Sequence, residues 1–360
     1  KVTIANNAAG NVFTANNETL AITVANGNQA VTINLGTGNQ DVTINLLSGN
    51  DTVNLGAGIN VVDTGGGADV VTNIGAGDNV SLGADADTAE FSAVAGATIG
   101  GGEGGTDSDT LLINTTVADM IIDLSLTGAQ QVTGAASDWQ NFENLDADAA
   151  GVVDDLTVTA NGSGSTILTG SGVDTVNLGG GADIVNTGGG SDTVVGTVGN
   201  SDTVDLGAGT DTFIFQALGT GTVTGGADSD TLELLVGTGP LDFVLSSGAN
   251  TGLTGYSSFE DLDASAAGGG DNINVDAAAG GSTIDTGAGN DDITAGIGTD
   301  LIDARLGDDV VRITSTTYTG DTLAGGGQTT ADTLAVTGGG TVNLSTGVTV
   351  SGFENVTIDN

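Results

Sequence analysis

Asp returns at every ninth residue over long stretches of this chain, with Gly ahead of it and an apolar residue two places behind. The first run is Asp51, Asn60, Asp69, Asp78 and Asp87, followed by Val53, Val62, Val71, Val80 and Ala89. Near Asp78 the glycines (Gly75, Gly77) slip by one, so that Asn79 competes for the position; Val80 two places on favours Asp78. A second run, Asp174, Asp183, Asp192, Asp202 and Asp211, is spaced 9, 9, 10 and 9 and carries Val176, Val185, Val194, Val204 and Phe213. A third places Ile293, Ile302 and Val311 behind Asp291, Asp300 and Asp309. An apolar position every nine residues fits no helical stripe of period 3.6, and Thr, Val, Asn, Asp and Gly are weak helix formers. Short strands divided by Gly turns fit it, and a fixed period of this kind signals a stacked repeat architecture.

Nine residues suffice for a turn and a three-residue strand, so two nonapeptides close one coil of 18. Coils stack at the strand spacing of about 4.8 Å, and equivalent residues form columns. The Val and Ile column is expected to face inward as a thin core. The Asp column is expected to face outward, where carboxylates about 5 Å apart cannot all stay ionised without cations between them. A hard cation taking six to eight oxygens answers that requirement. Gly lets the turn carbonyls face the ion in conformations a side chain would obstruct. The fold class expected is all-β, a right-handed parallel β-roll or β-helix solenoid with cation-binding Gly-Asp turns.

Composition bears on which cation chemistry is open. Lys1, Arg305 and Arg312 are the whole basic complement against 46 Asp and Glu, a formal net charge of -43. Nucleic acid and anionic membrane surfaces, both polyanions, are thereby excluded as electrostatic partners. With no His and no Cys, zinc sites, haem ligands, disulfides and Ser-His or Cys-His nucleophiles are excluded too. No apolar run approaches the roughly 18 residues of a membrane span. Disorder does not suit a chain that is 38% hydrophobic. Halophilic surface charging predicts Glu as well as Asp and no particular spacing, whereas the acids here are nearly all Asp and regularly placed.

A longer period lies over the shorter one. Asp107-Ser108-Asp109-Thr110-Leu111 recurs as Asp228-Ser229-Asp230-Thr231-Leu232 and weakly as Asp332-Thr333-Leu334. Phe142-Glu143-Asn144-Leu145 recurs 117 residues on as Phe259-Glu260-Asp261-Leu262, and again as Phe353-Glu354-Asn355-Val356. About three super-repeats follow: 49–152, 153–269 and 270–360, each an Asp array and a spacer, after Asp-poor rungs over 1–48. In those first rungs Gln29 and Gln40 take the place of Asp, ahead of the alternating segments Val31–Leu35 and Val42–Leu46.

The Gly-Asp nonapeptide resembles the G-G-x-G-x-D-x-U-x signature of calcium-binding RTX proteins, closely over about a third of the chain. The spacers look like those of large secreted RTX and bacterial surface-layer proteins. The resemblance implies that Asp51, Asp69, Asp174, Asp183, Asp192, Asp202, Asp211, Asp291, Asp300 and Asp309 are calcium ligands, with multiple ions between turns one coil apart. Asn60, Asp78 and Asp87 occupy the same positions. The motif's first Gly is usually Leu or Thr here (Leu55, Thr64, Leu178, Thr187, Leu206), although Gly104 and Gly225 keep it. The pairs Asp85/Asp87, Asp107/Asp109 and Asp228/Asp230 add a carboxylate that would strengthen binding or hold an ion at the end of an array; the bland reading is a solvated Asp-rich turn.

Other candidates weigh less. Trp139 and Tyr256, each three residues before the repeated Phe, read as aromatic plugs closing the core rather than a sugar-stacking platform. Arg305 and Arg312 are too few to build a groove for an acidic sugar, and nothing marks one carboxylate pair for glycoside hydrolysis. Thr does not recur at one turn position, as a flat ice-binding ladder needs. No enzymatic activity is expected. The expected protein is an extracellular, calcium-dependent structural protein of the bacterial cell surface, assembling with copies of itself as a surface layer, matrix lattice or filament. A cell-surface polysaccharide is a further candidate partner; nucleic acid and membrane insertion are not expected. The alternative is the repeat region of a large adhesin or exoenzyme, serving as a calcium-triggered folding or spacer module. The resemblance also implies type I export with an uncleaved C-terminal signal, and a chain opening on Lys1 is expected to be a fragment or trimmed product.

Overall fold

An apolar side chain at every ninth residue can be buried only if successive nonapeptides face one another across a narrow interior, and the backbone pairing shows that they do. The computed structural model describes residues 2–4, 11–15, 20–24, 29–37, 41–91, 96–102, 107–114, 119–133, 138–149, 155–198, 201–217, 221–235, 241–245, 255–267, 272–328 and 330–359. Gln40 and Gly104 lie outside them. The chain forms two compact units, Lys1–Gly188 and Gly189–Asn360. Each is a right-handed parallel β-roll, the hand taken by parallel crossovers, and no helix occurs among the described residues.

In the first unit, strands one coil apart pair in parallel with an 18-residue step. Val53 stands beside Val71 on one wall and Val62 beside Val80 on the other. The second unit repeats the step, with Ile293 beside Val311. The core-facing residues expected from the period are all buried, among them Val53, Val62, Val71, Val176, Val204, Phe213, Ile293 and Ile302. Where the spacing lengthens, the columns continue. Ala89 neighbours Leu111, and Leu111 neighbours Leu145 across 34 residues; in the second unit Leu232 neighbours Leu262. Among the described residues the pairing is parallel save for Met120–Asp123 against Val132–Thr133. Gly83, at φ 111°, shows what the turns demand: a Cβ there would collide with the Gly65 carbonyl one coil away.

Trp139 and Tyr256 are wholly buried. Trp139 meets Phe91 edge-on at 4.7 Å, and Tyr256 meets Phe213 and Phe215 at 5.9 and 5.8 Å. Phe142 and Phe259 are buried with them. These rings are core plugs, and a sugar platform is ruled out because no face is available.

Two expectations are corrected. The Asp columns do not face outward: Asp51, Asp69, Asp87, Asp174, Asp183, Asp211, Asp291 and Asp309 are at most 1% exposed. They bend inward because the turn leaves a backbone N–H that only a neighbouring side chain can satisfy. In the first rungs, moreover, Gln29 does not replace Asp. Thr32 pairs with Thr52, which puts Val31 at the Asp position, and Gln29 is exposed. Val42 likewise stands opposite Asn60, since Thr43 pairs with Val61.

Candidate metal centre

Each buried carboxylate joins two coils. In the first unit the N–H of Val31 donates to Asp51 Oδ1 at 2.7 Å, Asp51 N–H to Asp69 Oδ1 at 2.6 Å, and Asp69 N–H to Asp87 Oδ1 at 2.7 Å. Asp87 N–H continues the ladder to Asp109 Oδ1 at 2.8 Å. The carbonyls run the other way into the strands: Asp51 O accepts from Val70 N–H and Asp69 O from Thr88 N–H. On the other wall Asn60 N–H donates to Asp78 Oδ1 at 2.7 Å, which places Asp78, not Asn79, in the column. Further along this unit, Leu156 and Ser165 N–H donate to Asp174 and Asp183, each at 2.8 Å.

Among the described residues the second unit carries three such ladders. Asp192 N–H donates to Asp211 and Asp211 N–H to Asp230. Ile273, Asp291 and Asp309 N–H donate in turn to Asp291, Asp309 and Asp332. Ser282 and Asp300 N–H donate to Asp300 and Asp321. Asp202 is buried and its carbonyl accepts from Thr222 N–H. Asp321 and Asp332 are column members that a nine-residue count misses, because their coils are 21 and 23 residues long.

Three ladders end on a Glu that the sequence reading left in a spacer. Asp109 N–H donates to Glu143 Oε2 at 2.8 Å, Asp230 N–H to Glu260 at 3.2 Å and Asp332 N–H to Glu354 at 3.1 Å. In all three the residue before the Phe is left-handed: Asn141 (φ 59°), Ser258 (φ 58°) and Gly352 (φ 76°). The recurring Phe-Glu pair carried the signal: the buried Phe anchors the turn and the Glu closes the column.

The charge exceeds what the ladder requires. Asn60 accepts the Val42 N–H through Oδ1 at 3.3 Å without any charge, so an amide can do the hydrogen-bonding work. Yet nearly every other position is Asp, and a second oxygen is buried beside the first. Oδ2 of Asp51, Asp87, Asp109, Asp211, Asp230, Asp309, Asp321 and Asp332 has no hydrogen-bond partner among the described residues. Asp78 and Asp300 differ, their Oδ2 accepting from Gly75 and Gly296 N–H at 2.8 and 2.9 Å.

The electrostatics follow from the burial. Desolvation pushes the Asp69 carboxyl up to about 7, against the hydrogen bonds from Asp51 N–H and Thr64, with Asp51 and Asp87 adding to the rise. It pushes Asp51 and Asp87 to about 6, and Asp230 and Asp309 to about 7. Asp109 is driven to about 8 by burial, then by Asp107, Asp87 and Glu143, against the Asp87 N–H. Buried carboxylates in a row, eight of them with an orphaned oxygen, are the donor chemistry of a hard, oxygen-seeking cation. The residues present therefore fit calcium.

The added carboxylates of the Asp pairs are not equivalent. Asp85 and Asp228 are left-handed, at φ 80° and 81°. Asp107 is not, and its carboxylate lies with those of Asp109 and Glu143 so that one oxygen of each falls within 4.8 Å of the others. Arg305 and Arg312 pair with Asp285 and Asp292.

No family model matches this chain, and no curated protein is significantly similar to it.

Proposed function

We propose that this protein is a calcium-dependent extracellular structural protein of the RTX kind, in which calcium ions neutralise the buried Asp ladders and so complete the fold. The observation that carries the reading is that Asn60 accepts the ladder hydrogen bond, at 3.3 Å, without any charge, while Asp51 and Asp87 on the other wall bury a full carboxylate with an orphaned oxygen. Asp51, Asp69, Asp87, Asp109, Asp211, Asp230, Asp291, Asp300 and Asp309 would hold the ions through their carboxylates. When bound, the ions supply countercharge to a chain that carries almost none of its own. Binding free energy then becomes folding free energy, which suits a protein folding where calcium is plentiful, outside the bacterial cell.

Assembly with further copies as a surface layer, matrix lattice or filament is the role proposed for the folded solenoid. Its strands set rows such as Thr212 beside Thr231 and Thr203 beside Thr222 on the walls, a surface that repeats at the strand spacing and suits periodic contact. The test is negative-stain imaging of purified protein with calcium and with chelator. Sheets or filaments appearing only with calcium support the reading. Monomers under both conditions overturn the assembly role and favour a calcium-triggered spacer module. Native mass spectrometry showing no bound calcium would sink the metal reading altogether.

A further inference from the structure

The Asp107, Asp109 and Glu143 carboxylates converge where the first ladder ends, and they differ from a ladder step. Ladder sites are built from one Asp per coil at a fixed period. Here Asp109 is the last ladder member, Glu143 arrives across an excursion of 34 residues and Asp107 stands two places before Asp109. Asp109 is 0% exposed, its Oδ1 is taken by Asp87 N–H, and its Oδ2 has no hydrogen-bond partner among the described residues. Asp107 Oδ1 is buried without a partner as well. The Gly101 backbone packs closely against them, since a Cβ there would strike both Asp109 Oδ2 and the Asn141 carbonyl oxygen. Two oxygens bound to one calcium-sized ion at about 2.3–2.6 Å stand at most about 5 Å apart. The separation of no more than 4.8 Å among the three carboxylates meets that limit.

We infer that Asp107, Asp109 and Glu143 form a divalent-cation site for a calcium-type ion, closing the first ladder with two carboxylates that no ladder step supplies. The assignment rests on the calcium reading of the protein and adds to it a site with its own ligands. The closure at Asp230 and Glu260 shares the Glu, but its Asp228 is left-handed. Among the described residues no third carboxylate joins that closure at the same range. Three carboxylates at one ion favour a hard cation by charge, so this site fills ahead of a ladder step and pins the turn on which Trp139 and Phe142 are carried.

The experiment compares the full chain with Glu143→Gln and Asp107→Asn. Gln still accepts the Asp109 N–H, as Asn60 does in the ladder, and Asp107 takes no part in the ladder, so both variants should fold. Calcium is titrated by calorimetry and the ions are counted by native mass spectrometry at limiting calcium. In parallel, terbium is titrated with excitation through Trp139, the single Trp and four residues from Glu143. Each variant is expected to bind one ion fewer at limiting calcium and to need at least tenfold more terbium for half-maximal luminescence. Wild-type protein that binds calcium, with both variants matching its ion count and affinities, overturns this site and leaves the array reading standing. Wild-type protein that binds no ion overturns both.

Discussion

At the scale of the residue, the Asp of each nonapeptide has two tasks that can be separated by substitution. One oxygen satisfies the N–H of the preceding coil; the charge and the second oxygen are what we propose to serve a cation. Asp69→Ala removes the acceptor of Asp51 N–H and should cost about 1–3 kcal/mol with or without calcium, since a buried donor is left unmet. Asp69→Asn keeps the acceptor and removes the charge. It should raise the melting temperature in chelator at pH 8, where a buried anion is relieved, and lower it in saturating calcium. Thermal melts of the two variants in both buffers check this crossover; an Asn variant less stable in both would show that the charge is not a cation ligand. The Asp period was visible in the sequence, whereas the inward turn of its side chain was not, because an orphaned N–H exists only once coils are stacked.

At the scale of the element, strands of three to five residues have little intrinsic stability, and the turns and plugs hold their register. Gly83→Ala forces a Cβ against the Gly65 carbonyl at a positive φ and should destabilise by more than about 1 kcal/mol, read as a shift in denaturant midpoint. Trp139→Ala empties the contact with Phe91 and should cost about 3–5 kcal/mol, with Trp139→Phe recovering much of it. The role of the aromatics was readable from their place before the repeated Phe. The role of Glu143, Glu260 and Glu354 was not, since nothing local ties a Glu to an Asp 34, 30 or 22 residues away. Asp321 and Asp332 escaped for the same reason: insertions stretch their coils beyond 18 residues, and a count along the chain loses a column that pairing preserves.

At the scale of the whole molecule, sixteen Asp side chains among the described residues are buried, out of 39 in the chain. Their raised carboxyl values set the pH dependence. A group whose folded value lies above its unfolded one binds protons more tightly when folded. Its contribution is fully present below the unfolded value near 3.8 and is lost as pH rises through about 6 to 8. In chelator the melting temperature should therefore rise as pH falls from 8 toward 4. Calcium competes with those protons, so the dependence should flatten or invert in its presence, with protons released on binding. Melts across pH with and without calcium test this, and a protein that loses stability on acidification in chelator would contradict the ladder electrostatics. The net charge of -43 thus belongs in part to the interior and not to the surface alone.

The nine-residue period by itself determined the coil, the parallel register and the apolar core, because equal spacing makes equivalent residues neighbours once a strand and a turn fill nine positions. It also raised the expectation of cations, since a column of acids has almost no countercharge within the chain. Which way the acids face, and where each column stops, was decided only in three dimensions. A period states which residues are equivalent but not the direction of a side chain. That direction is set by backbone N–H groups that become unsatisfied when one coil lies on the next, and by the distant Glu that the stacking brings to the last of them.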